Sequence, residues 1–243
     1  MIARAFGLLL LMLTPTATMA ATRLYLPSVA TAEVSPPFTH ESTWDEVDNA
    51  DRREMHTVKV SSAMTSRTEA KATGANVRQL VRQYVSRRLD GAQLIAAVAV
   101  KGTVRVLESA INDNLDKVSM KLIVTSEDGQ TLRCTLLVKG DYGPTNEFDT
   151  VLENRRIADG DVMTLCNASN LDRVVAELGF NNTTTGTSIT GTMNFGDDNA
   201  SDCLDDETTQ SACNPFIELA TDLVFLGPVA TCPTTRASMG VGC

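Results

Sequence analysis

The densest set of potential ligands in this 243-residue chain is the run Gly196-Asp197-Asp198-Asn199-Ala200-Ser201-Asp202-Cys203-Leu204-Asp205-Asp206-Glu207. Hard oxygen donors at this density suit calcium, which takes roughly six to eight such ligands. Asp197, Asn199, Asp202, Asp205, Asp206 and Glu207 are therefore the candidate metal residues, and calcium is the one cofactor the sequence suggests. The run does not follow the EF-hand pattern: Asp202 stands where that loop needs Gly, and Thr208 where it needs the bidentate Glu. The competing reading is a solvated acidic loop.

Other chemistry finds less material. A Ser/His/Asp system needs a histidine base, and only His40 and His56 exist. Neither lies near a nucleophile elbow, and Gly186-Thr187-Ser188-Ile189-Thr190-Gly191 has the wrong spacing for one. Paired carboxylates could meet from distant strands, as glycoside hydrolysis requires, but thirty acidic residues make any such pairing unspecific. No catalytic set is assigned, and the expectation is a non-enzymatic protein. Six cysteines are present. Cys134 lies on the apolar face of its segment and reads as a buried thiol. Cys203 and Cys213 bracket the acidic loop, Cys232 and Cys243 bracket the tail, and these are the two disulfide candidates. No CxxC or Cys/His pair has zinc spacing. The sequons at Asn167, Asn181, Asn182 and Asn199 matter only in a eukaryotic secretory pathway.

The elements that must position these residues read as strands. Met120, Leu122 and Val124 alternate with Lys121, Ile123 and Thr125, then Glu127-Asp128-Gly129-Gln130 follows. Leu132, Cys134, Leu136 and Val138 then share the face opposite Thr131, Arg133 and Thr135. Period-two alternation about an Asp-Gly turn predicts a β-hairpin. Further strands are predicted at Thr22–Pro27, Met55–Val60, Leu94–Leu107 with a break near Gly102, Leu171–Leu178, Ile189–Phe195 and Phe216–Leu226. Val77–Leu89 fits either a helix or a strand. Ser61–Gly74 reads as a loop, and Ala158-Asp159-Gly160 as a turn. The fold expected is all-β: a single antiparallel β-sandwich of jelly-roll kind over residues 22–226, followed by a flexible tail, 227–243.

Hydrophobic content of 43% supports a full core, whereas 5% aromatics with one tryptophan, Trp44, argues against a sugar-stacking platform. A net charge of −9 disfavours nucleic-acid binding, and Arg78, Arg82, Arg87 and Arg88 read as a solvated basic face. Residues 1–20 have a signal-peptide layout: Arg4, then the apolar run Ala5–Leu13, then Ala17-Thr18-Met19-Ala20-Ala21. The run is too short to span a bilayer, so no membrane span is expected. The other reading makes residues 1–20 a misassigned extension, with translation starting at Met19.

An ordered series of phrases carries a resemblance. It comprises Thr22-Arg23-Leu24-Tyr25-Leu26-Pro27-Ser28, Ala50-Asp51-Arg52-Arg53, Val81-Arg82-Gln83-Tyr84-Val85-Ser86 and Leu171-Asp172-Arg173-Val174-Val175-Ala176-Glu177-Leu178-Gly179. Asn194-Phe195-Gly196-Asp197, Asp205-Asp206-Glu207-Thr208 and Asn214-Pro215-Phe216-Ile217-Glu218 complete it. Across residues 22–226 the chain resembles a family of β-sandwich proteins encoded by tailed bacteriophages and environmental phage contigs. The resemblance implies a virion structural or decoration protein whose partners are other virion proteins or copies of itself. The alternative is an exported, periplasmic or extracellular binding module, calcium-stabilised, that presents its loops to a cell-surface glycan.

Overall fold

The computed structural model describes residues 21–38, 44–47, 50–60, 62–71, 77–110, 115–142, 148–182, 189–197, 201–204 and 213–227. Thirteen strands cover most of them: β1 (Thr22–Tyr25), β2 (Asp51–Glu54), β3 (Ser62–Lys71), β4 (Val77–Arg88), β5 (Gln93–Ile95), β6 (Ala99–Glu108), β7 (Leu115–Thr125), β8 (Leu132–Tyr142), β9 (Glu153–Val162), β10 (Cys166–Ala168), β11 (Arg173–Asn182), β12 (Ile189–Asp197) and β13 (Phe216–Leu219). One sheet has the order β1-β13-β6-β12-β3, with β9 on the other edge of β6. The second has the order β2-β4-β11-β7-β8, and β5 pairs with β10 as a small ribbon. No helix occurs among the described residues.

The all-β sandwich follows from one shared core. Leu24, Val104, Phe195 and Ile217 from the first sheet meet Tyr84, Leu122, Leu178 and Phe180 from the second, all fully buried. Each such side chain contributes roughly 1.5–3 kcal/mol of burial. Tyr84 and Phe195 pack ring on ring, 5.5 Å apart, and the Tyr84 hydroxyl donates to the Pro27 carbonyl at 2.9 Å.

Several local expectations are corrected. The ambiguous Val77–Leu89 segment is a strand, with both faces buried over Gln79–Ser86, which is why its periodicity was uninformative. Met55–Val60 forms no strand; the strand is the preceding Asp51–Glu54, and it pairs with β4 in parallel, so the sandwich is not wholly antiparallel. The expected loop at Ser61–Gly74 holds β3, whose polar side chains bond across to β12 through Thr68–Thr192 and Ser66–Asn194. The break in Leu94–Leu107 falls at Ala96–Val98, and β6 runs through Gly102. Ala158-Asp159-Gly160 lies within β9, where positive-φ Gly160 sits at a register shift against β6, a bulge rather than a turn. The strand foreseen at Leu171–Leu178 starts at Arg173, after a turn that holds Leu171 at φ 70°.

The predicted hairpin forms between β7 and β8, with Gly129 at φ 77°. Its face assignment does not hold throughout. Register shifts in β8 send Leu132 to the outer face beside Val85, Ile123 and Val175, while Cys134 and Leu136 stay against the central core. Val138 is exposed. A bulge resets the period-two count, and no alternation rule anticipates it.

Candidate functional site

On β11, Val174, Ala176, Leu178 and Phe180 turn into the central core, so Val175 and Glu177 turn the other way. That outer face is nonetheless dry, because the segment following β1 crosses it. Ala32 and Val34 pack on Val85, Ile123 and Val175. Pro36 accepts from Arg52 at 2.9 Å, and the Arg52 guanidinium stacks 3.9 Å above the Phe38 ring. Arg173 donates to Glu33 at 2.6 Å, fixing the same segment from below.

Beneath this strap lies a row of polar side chains on three adjacent strands. Register pairs Glu177 of β11 with Gln83 of β4 on one side and Lys121 of β7 on the other. Glu177 and Lys121 have no exposed side-chain surface, and Lys121 Nζ lies 3.5 Å from Glu177 Oε2. Trp44 Nε1 donates to Oε2 at 2.6 Å, Gln83 Nε2 donates to Oε1 at 2.8 Å, and Arg52 Nε donates to Gln83 Oε1 at 2.9 Å. Such a satisfied buried network fixes register. A one-residue slip of β11 would drive the Glu177 carboxylate into the apolar core. Sequence reasoning missed the row, since Lys121 and Glu177 occupy positions that alternation assigns to solvent. The identity of Glu177 in an otherwise apolar segment was the available signal.

One residue of the basic run is similarly absorbed. Arg82 is 3% exposed and pairs with Asp51; Arg87 pairs with Glu54, and Arg88 with Glu127. This corrects the solvated-face expectation for Arg82: the parallel strand β2 lays its carboxylates alongside β4.

Among the candidate calcium residues, Asp202 is held between Arg23 and Lys59, the latter at 2.9 Å. Arg23 also bonds Glu218, through Nε at 2.8 Å. The side chain of Asp197 lies outside the described residues, as do Asn199, Asp205, Asp206 and Glu207. Among the described residues no group of three or more His, Cys, Asp or Glu side chains is placed to hold a metal. Cys203 and Cys213 form a disulfide across the loop. Cys134 is no free thiol: it is bonded to Cys166, with Cα atoms 6.1 Å apart, which staples β8 to β10. Cys232 and Cys243 lie outside the described residues, as does His40.

At the rim where β8, β9 and β10 approach one another, apolar side chains face water. Val138, Val162, Leu165 and Leu94 are 44%, 64%, 52% and 55% exposed. The Thr164 amide donates to the Leu136 carbonyl at 2.7 Å, and Leu94 pairs with Asn167 of β10. These contacts and the Cys134–Cys166 bond make the rim a fixed surface.

No family model matches the chain, and no curated protein matches it. Among solved structures, a chain from the structure of infectious bursal disease virus, Gx strain, is similar at 11% identity and a TM-score of 0.23. The match covers 68% of this chain and spans 45% of that one.

Proposed function

We propose that this protein is a non-enzymatic structural or decorating component of a phage particle, acting through the surfaces of its sandwich. The observation that carries this reading is the rim of Val138, Val162, Leu165 and Leu94, exposed on a part of the fold stapled by a disulfide. Exposed apolar side chains on a rigid edge favour burial against a neighbour without ordering cost. The resemblance of the ordered phrases in residues 22–226 to phage-encoded sandwich proteins supports the same reading. The partners are other virion proteins or further copies of this chain.

The experiment is incorporation of variants into particles. Val162→Glu with Leu165→Glu leaves the core untouched, so the protein should fold with an unchanged melting temperature and fail to join particles. Incorporation at the unaltered level would overturn the assignment of the rim.

A second reading is favoured by one observation. Two disulfides suit an oxidising environment, which fits an exported module presenting its loops to a cell-surface glycan. Recovery of the protein from the medium, and not from particles, would select it.

A further inference from the structure

Four segments distant in sequence meet around His56. Its amide and carbonyl both bond Tyr25 of β1, at 3.2 and 2.7 Å, and the preceding Met55 amide donates to Val85 of β4 at 3.0 Å. The segment after β13 closes the group: Leu223 donates to Thr22 Oγ1 at 2.7 Å, and Leu226 to the Arg88 carbonyl at 2.8 Å. Leu24, Met55, His56, Arg87 and Phe225 line a small cavity of about 30 Å³ left between these segments.

The imidazole is 11% exposed. Its Nδ1 lies 3.6 Å from Glu54 Oε1, an oxygen that already accepts from Arg87 Nε at 2.8 Å. Its Nε2 is enclosed and has no hydrogen-bond partner among the described residues. We propose that His56 is the proton sensor of this seam, and that its protonation loosens the join between β1, the β2–β3 link, β4 and the segment after β13.

The argument rests on satisfiability. A neutral imidazole has one donor nitrogen, while the protonated ring has two. The second would sit at Nε2, an enclosed atom with no acceptor among the described residues. The new charge would also share a single carboxylate with Arg87. The charged and titratable groups nearby are Glu54 on β2, Arg87 on β4, Tyr25 on β1, and Lys59, which is paired with Asp202, on the link itself. The segment Leu223–Leu226 supplies none.

Burial pushes His56 below its ordinary 6.5, with Glu54 opposing and Arg87 adding. The stability of the neutral form is therefore fully present above 6.5 and is lost as pH falls through the lower folded value.

The test is amide hydrogen exchange of the full chain by NMR, as protection factors between about pH 8 and about pH 4.5. Protection at Tyr25, His56 and Leu226 should fall at least about tenfold on acidification, while Leu122 and Ala176 in the core hold theirs. His56→Gln, which cannot gain the proton, should abolish the change. If that variant fails to fold, His40→Gln leaves one histidine, whose carbon-bound ring proton should titrate at the pH where those three amides open. Protection that does not change with pH overturns the proposal. So does acid opening that persists in His56→Gln, or that occurs away from the His56 midpoint.

Discussion

Lys121→Met asks how much the row beneath the strap contributes. The substitution keeps most of the side-chain volume and removes a charge that is fully buried 3.5 Å from Glu177. Breaking a buried pair from one side costs roughly 3–5 kcal/mol, because the remaining charge stays desolvated. Glu177 keeps Trp44 and Gln83 as donors, so the expected loss is at the lower end, about 3 kcal/mol. Removing both charges, as Lys121→Met with Glu177→Leu, leaves only those two neutral donors without their acceptor, at about 1–3 kcal/mol each. The double variant should therefore fall well short of the summed single losses, with a coupling of about 2 kcal/mol. Equilibrium urea unfolding with both disulfides intact measures all three, and an unchanged m-value shows that the same surface is being exposed. A Lys121→Met loss below about 1 kcal/mol would show that this pair is not desolvated in the folded protein, and the register argument would go with it.

Further outcomes follow from other contacts. Gly129→Val should destabilise by about 1–2 kcal/mol in the same assay, since a β-branched residue resists positive φ and its Cβ would lie 2.8 Å from Pro36 Cγ; an unchanged midpoint would refute the turn geometry. Cys134→Ala with Cys166→Ala should cost about 2–4 kcal/mol, and a smaller loss would mean that the bond does not restrain the unfolded chain. The hydrogen bond from Arg173 holds Glu33 below its ordinary 4.5. Its contribution is present above that value and lost as pH falls through the folded one, so Glu33→Gln should flatten the acid limb of a stability–pH curve. Calcium should leave the melting temperature unchanged, because Asp202 is already neutralised by Arg23 and Lys59; a rise with added ion would assign the acidic loop as a binding site.

The part of the fold legible in the sequence was the part where alternation and turn chemistry act locally. Met120, Leu122 and Val124 point into the core as their spacing predicts, and Gly129 makes its turn. What was not legible depended on long-range cover. Lys121, Gln83, Glu177 and Arg82 look like solvent-facing residues until the strap and the parallel strand β2 are laid over them. Cys134 looks like a core thiol because its partner, Cys166, lies 32 residues on, in a three-residue strand that no periodicity marks. Val138, Val162 and Leu165 carry no composition signal of an interface. Val138 leaves the apolar face through the register shifts in β8.

The most direct test of the central claim is mass spectrometry of purified phage particles from the source of this sequence, with this protein quantified against a major capsid subunit. A structural or decorating component is expected at a fixed stoichiometric ratio that survives repeated purification. Absence from particles, with the protein recovered from the surrounding medium, would contradict the virion assignment.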